Sequence, residues 1–111
     1  MAYDETLAGR IRELLAAEKG LTEQRMFGGL AFLIKGNMAV AANGQGGLLV
    51  HVAADEGADL VERPGAQPMV MRGRQMNGWV RVDLDVLGTR RQLETWVNRG
   101  VAYARSLPAK R

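Results

Sequence analysis

The chain reads as a single α+β domain, an antiparallel β-sheet flanked by helices in the order α-βββ-α-ββ-α. Three observations predict this. Apolar residues recur at helical spacing near both ends, short apolar runs separated by Gly-containing turns fill the middle, and the connections are too short for parallel crossovers. The 111 residues, 47% hydrophobic and 24% charged, suit one domain that buries a core without disulfides or metal.

Leu7, Ile11, Leu14 and Leu15 form a helical stripe, with Asp4 placed as N-cap and Gly20 beyond the end, so residues 5–18 read as an amphipathic helix. From Arg25 the pattern becomes extended: Arg25-Met26-Phe27, then after Gly28-Gly29 the run from Leu30 to Ile34. Lys35-Gly36-Asn37 reads as a tight turn into Met38 to Ala42, and Asn43-Gly44-Gln45-Gly46-Gly47 as a hairpin loop before Leu48 to Val52. A short helix over 55–62, capped by Asp55, is stopped by Pro64-Gly65. Two strands follow, Met69 to Arg72 and Trp79 to Asp83, joined by a polar loop from Gly73 to Gly78. Thr89 to Gln92 spells a capping box, and Leu93, Trp96, Val97, Gly100, Val101 and Ala104 give the last helix one apolar stripe ended by Pro108.

Both sheet faces read as apolar. Alternation puts Leu30, Phe32, Ile34, Met38, Val40, Ala42, Leu48, Val50 and Val52 on one face, and Ala31, Leu33, Ala39, Ala41 and Leu49 on the other. A sheet open to water would alternate with polar residues, so the second face is expected to lie under a helix or against another subunit, a homodimer being one form of that cover.

Charge is divided along the chain. Residues 1–62 carry five bases and nine acids, a net of −4, and residues 63–111 carry ten bases and three acids, a net of +7. If Arg72, Arg74, Arg81, Arg90, Arg91, Arg99 and Arg105 gather on one face, they form a patch for phosphates or an acidic protein; the plainer reading is a solvated, Arg-rich helix and tail.

The chain has no Cys and one His, which excludes a disulfide framework, a thiolate nucleophile and multi-His or Cys-type metal sites. No cofactor is implied. His51 reads as a surface or interface histidine. Ser106, the one serine, falls in the last turn of a helix, and Asp85 suits a turn better than a carboxylate pair with Asp83. Asp55, Glu56, Asp59 and Glu62 suit a solvated helix face. The internal methionines Met26, Met38, Met69, Met71 and Met76 read first as core packing and second as an adaptable groove. Gly28-Gly29 signals a bulge or close backbone approach that seats Phe27 in the core, with a small-molecule contact as the alternative. Trp79 and Trp96 read as packed. No apolar stretch approaches the roughly 20 residues that span a bilayer, and the acidic start lacks secretory-signal features, so a cytoplasmic protein without a membrane partner is expected.

Arg25-Met26-Phe27-Gly28-Gly29 before an apolar strand, Gly36-Asn37-Met38-Ala39 opening the next, the Leu48 to Val52 strand, Pro64-Gly65-Ala66 with Pro68, and Trp96 with Ala102 resemble the N-terminal domain of the TfoX/Sxy competence regulators over residues 5–107. The resemblance implies a secretion-chaperone-like α+β fold. It also implies a non-enzymatic regulatory or protein-interaction role with the transcription machinery as a partner, and it brings no catalytic residues. The two-domain members carry a helical C-terminal domain, whereas a stand-alone N-terminal module is the expectation for these 111 residues. A nucleic-acid binder using the basic C-terminal half is the second expectation.

Overall fold

The computed structural model describes residues 3–26, 28–44 and 46–109. Helix α1 (Glu5–Leu14) begins where the Asp4 carboxylate accepts the Leu7 backbone N–H at 3.0 Å, the expected N-cap. It stops short of residue 18. After Leu15 the chain is drawn off in turns, and Gly20, at φ 76°, accepts the Lys35 N–H at 2.9 Å and aims the chain into the sheet.

Six strands make one antiparallel sheet: β1 (Leu21–Met26), β2 (Gly29–Ile34), β3 (Asn37–Ala42), β4 (Leu48–His51), β5 (Ala66–Met71) and β6 (Arg74–Val82), in the order β1-β2-β3-β4-β6-β5. Helix α2 (Ala54–Leu60) follows β4. A 3-10 turn (Leu84–Val86) and helix α3 (Arg90–Ser106) follow β6. The predicted succession of helix, strands, helix, strands, helix is present, with one more strand in its first group. Only Arg25-Met26 of β1 read as extended, because Thr22, Glu23 and Gln24 lie exposed on an edge strand and carry no apolar alternation. Phe27 lies outside the described residues. Met26 pairs with Gly29, whose backbone approaches the Ala42 carbonyl too closely for any side chain, so the second glycine marks a close approach as expected.

Three further corrections concern geometry. Most of the expected loop is strand: β6 takes residues 74–78, and the turn is only Arg72-Gly73, at φ 55° and 77°, the left-handed pair of a type I′ hairpin that Lys35-Gly36 repeats at 52° and 84°. Helix α2 is capped at Ala53 with no side-chain bond, and Asp55 sits in its first turn instead. The helix is placed by contact, Gly57 lying against the Gly78 backbone. Lastly, Met38 and Ala39 exchange the faces expected of them. A bulge sets Phe32 opposite Val40 but Leu33 opposite Met38, so Ala39 joins the cluster beneath the helices and Met38 packs on the other side.

All three helices cover one face. Leu7, Ile11 and Leu15, Leu60 of α2, and Leu93, Trp96, Val97 and Val101 of α3 pack on Phe32, Val40, Val50 and Val80. The capping box of α3 is formed: Thr89 Oγ1 accepts the Gln92 N–H at 3.1 Å and Gln92 Oε1 accepts the Thr89 N–H at 2.9 Å. The Arg10 guanidinium donates to the carbonyls of Leu87, at 2.7 Å, and Thr89, at 3.3 Å, tying α1 to the start of α3.

Arg12 donates to Glu23 from Nε at 2.7 Å and from its terminal nitrogen at 2.9 Å, joining α1 to the edge strand β1. That hydrogen bond holds the Glu23 carboxyl below its usual range, against a smaller opposing effect of burial. A depressed carboxylate pKa contributes stability that is present above the unfolded value and lost as pH falls through the folded one. Chemical denaturation is therefore expected to show a small loss of stability from about pH 5 to pH 3, and Glu23→Gln is expected to reduce that loss.

Candidate functional site

Among the described residues no helical one belongs to the apolar cluster on the second sheet face, which holds Ala31, Leu33, Ala41, Leu49 and Met69 with Met26, Met38, Met76 and Trp79 against it. This face is neither polar nor under a helix. It is sheltered by curvature. In a flat sheet of this strand order β1 and β5 would stand about 24 Å apart, five spacings of ~4.8 Å. Yet Met26 of β1 and Met69 of β5 line the same cavity of about 150 Å³. Two irregularities bend the sheet: the bulge at Phe32/Leu33, and the larger one where Pro68 faces Val80 and Met69 faces Met76, leaving residues 77–79 of β6 without partners on β5. Gly78 makes the second bend at φ 83°, and its carbonyl accepts the Val52 N–H at 2.8 Å.

The result is an apolar trough. Its floor is Ala31 and Ala41, and its walls are Met26, Met38, Leu49, Met69, Met76 and Trp79. Small residues in the floor leave the recess, and unbranched thioethers in the walls let it adapt to what enters. A second groove continues it past Leu33 and His51 to Pro108, sharing Met26, Met38 and Trp79. There His51 stacks on Trp79 with ring centroids 3.9 Å apart and meets Tyr103 edge-on at 5.1 Å. Its Nδ1 lies 3.2 Å from the Met38 carbonyl. His51 thus braces one face of the Trp79 ring, which is how the structure uses this half-buried histidine. Asn37 donates to the Pro108 carbonyl at 2.8 Å and anchors the chain after α3 beside the groove.

Burying an apolar side chain in the recess is worth about 1.5–3 kcal/mol. Ala41→Met, directed into the recess from its floor, is expected to leave the circular-dichroism spectrum unchanged and to raise the denaturation midpoint, with overpacking limiting the gain to about 1–2 kcal/mol.

The seven arginines considered from sequence do not come together as one group. Arg72 and Arg74 stand at the β5–β6 turn and Arg81 lies opposite Leu49 on β6. Arg90 and Arg91 open α3. Arg99 approaches Glu56 at 4.0 Å and lies over the Trp96 ring at 5.4 Å, and Arg105 pairs with Glu18. Of the signature residues, Met26 and Gly29 line the trough, whereas Arg25 pairs with Leu30 on the edge strand and Phe27 is outside the described residues. Met69 is buried in the trough cluster and Met26, Met38 and Met76 are half-buried around it, so these four methionines belong to the trough and not to the core beneath the helices; the Met71 side chain is not among those described. Ser106 Oγ donates to the Tyr103 carbonyl at 2.6 Å, and Asp85 lies in the 3-10 turn, as its sequence context suggested. Among the described residues no three His, Asp or Glu side chains converge, and no helix is long and apolar enough to cross a membrane.

In the sequence the methionines and the second apolar face are separate signals. The signal that joins them is parity, since Met69 and Met76 fall on the same face as Leu49 once the bulge is counted.

No curated protein and no solved structure matches the chain. The family model of the TfoX N-terminal domain matches residues 13–104, which include the whole sheet and every residue of the trough. The chain belongs to the TfoX N-terminal domain family.

Proposed function

We propose that this domain is a non-enzymatic interaction module, which acts by holding an apolar segment of a protein partner in the trough. The observation that carries this reading is the trough itself: an apolar sheet face left without a helix, with an open recess walled by thioethers and Trp79. A regulatory role beside the transcription machinery is the partner class that the family suggests. The residue inventory supports the non-enzymatic part, since the one histidine is engaged in ring stacking and the one serine is bonded to a helix carbonyl, so the two do not form a nucleophile–base pair.

The test compares tagged wild-type chain with Ala41→Met in a cell extract of the source organism, at 50 and 500 mM salt. A protein retained by wild type at both salts and absent from the variant supports the reading. Retention that survives the substitution contradicts it. The nucleic-acid alternative has the opposite salt behaviour: neutralising six phosphates costs about 10³ in affinity between 50 and 200 mM salt.

A further inference from the structure

The trough's dimensions and charges narrow the kind of partner it fits, and this step rests on the interaction reading above. The recess of about 150 Å³ is well below the roughly 300–1,000 Å³ of pockets that enclose drug-sized ligands, and suits one ring or one branched chain. Its β6 wall alternates in a defined way. Within the hairpin, Arg74 and Met76 share the face of Met69, and Trp79 and Arg81 lie opposite His51 and Leu49, so a cation stands beyond each end of the Met76–Trp79 wall. Neither arginine makes an ion pair among the described residues. The Arg81 Nε is buried without a hydrogen-bond partner, a donor that lacks an acceptor. The acid nearest in sequence, Asp83, has its carboxylate engaged by the Gln67 amide at 2.9 Å.

We propose that the occupant is an acidic amphipathic segment of a partner protein. One Leu-, Met- or Phe-sized side chain enters the recess over Ala31 and Ala41, and flanking carboxylates pair with Arg74 and Arg81. Charge complementarity selects this occupant. A second copy of the chain, meeting this face with its own, would bring the same arginines towards each other. A nucleic-acid strand would find one face of Trp79 already covered by His51.

The experiment uses ¹³C-methyl methionine spectra of the full chain at about 50 mM salt, titrated with three 14-residue amphipathic peptides. One carries Phe with Asp and Glu, one has the acids replaced by Lys, and one has the acidic frame with Phe replaced by Ala. A dT12 oligonucleotide is the fourth probe. The expected result is that the acidic Phe peptide shifts the methyls of Met26, Met38, Met69 and Met76 and binds at least tenfold tighter than the other three probes. Arg81→Glu is expected to reverse the preference between acidic and basic peptides, and Ala41→Met, with its fold retained, to remove the methyl shifts. Equal or tighter binding of the basic peptide or of dT12 overturns the acidic occupant. Methyl shifts that depend on protein concentration alone show a self-interface and overturn it too. Basic-peptide binding at the same methyls leaves the interaction reading standing, whereas no peptide binding at 1 mM removes both.

Discussion

Gly100→Val is expected to destabilise the domain by about 3–5 kcal/mol, a large fraction of what a chain of this size has to lose. Helix α3 crosses the sheet with Gly100 pressed on the backbone of Ala39, and a Cβ there would overlap the Ala39 carbonyl oxygen and crowd Val40. Neither obstacle is the end of a flexible side chain. The helix must lift, and Trp96, Val97 and Val101 lift with it. Ala39 is also the residue that the β3 bulge turns towards the helices, so the bulge and the glycine are two halves of one contact. The internal control is Gly9 of α1, around which a Cβ meets nothing within 4 Å. Gly9→Ala is expected to gain about 1 kcal/mol from helix propensity alone. Urea denaturation of the two variants reads both effects, and a Gly100→Val protein as stable as wild type would show that α3 is not seated as described.

The second large effect separates the two sheet faces. Phe32 and Leu33 are chain neighbours, 0% and 8% exposed, yet Phe32 lies beneath the helices and Leu33 beside the trough. Phe32→Ala is expected to cost about 3–5 kcal/mol, because its neighbours are held by helices and cannot collapse into the void. Leu33→Ala is expected to cost less than half as much, about 1–2 kcal/mol, since one side of Leu33 already borders open space. Equal costs would mean that the second face is as firmly packed as the first and offers no recess.

The strong local signals were legible in the sequence. Asp4 and Thr89 cap helices as their side chains suggested, and the tight turn at Lys35-Gly36 is a two-residue hairpin. What stayed hidden depends on contacts distant in sequence. Edge strand β1 carries Thr22, Glu23 and Gln24 because one of its sides faces solvent, so period-two patterning was absent. Residues 73–78 are polar enough to read as loop, although pairing across the Arg72-Gly73 turn makes residues 74–78 strand. A bulge leaves no mark in composition, and the bulge in β3 reversed the faces of Met38 and Ala39. For the candidate site, the apolar second face was readable by alternation. Its curling into a trough was not, since this requires Met26 and Met69, on opposite edges of the sheet, to line one cavity.

The most direct measurement of the central claim is an isotope-filtered NOE experiment on the full chain with the acidic Phe peptide bound. The expected result is contacts from the peptide's Phe ring to the Ala31 and Ala41 methyls and to the methionine methyls around them. Contacts instead to the outer side of α3, at Thr95, Asn98 and Ala102, would contradict it and assign binding to the opposite side of the molecule.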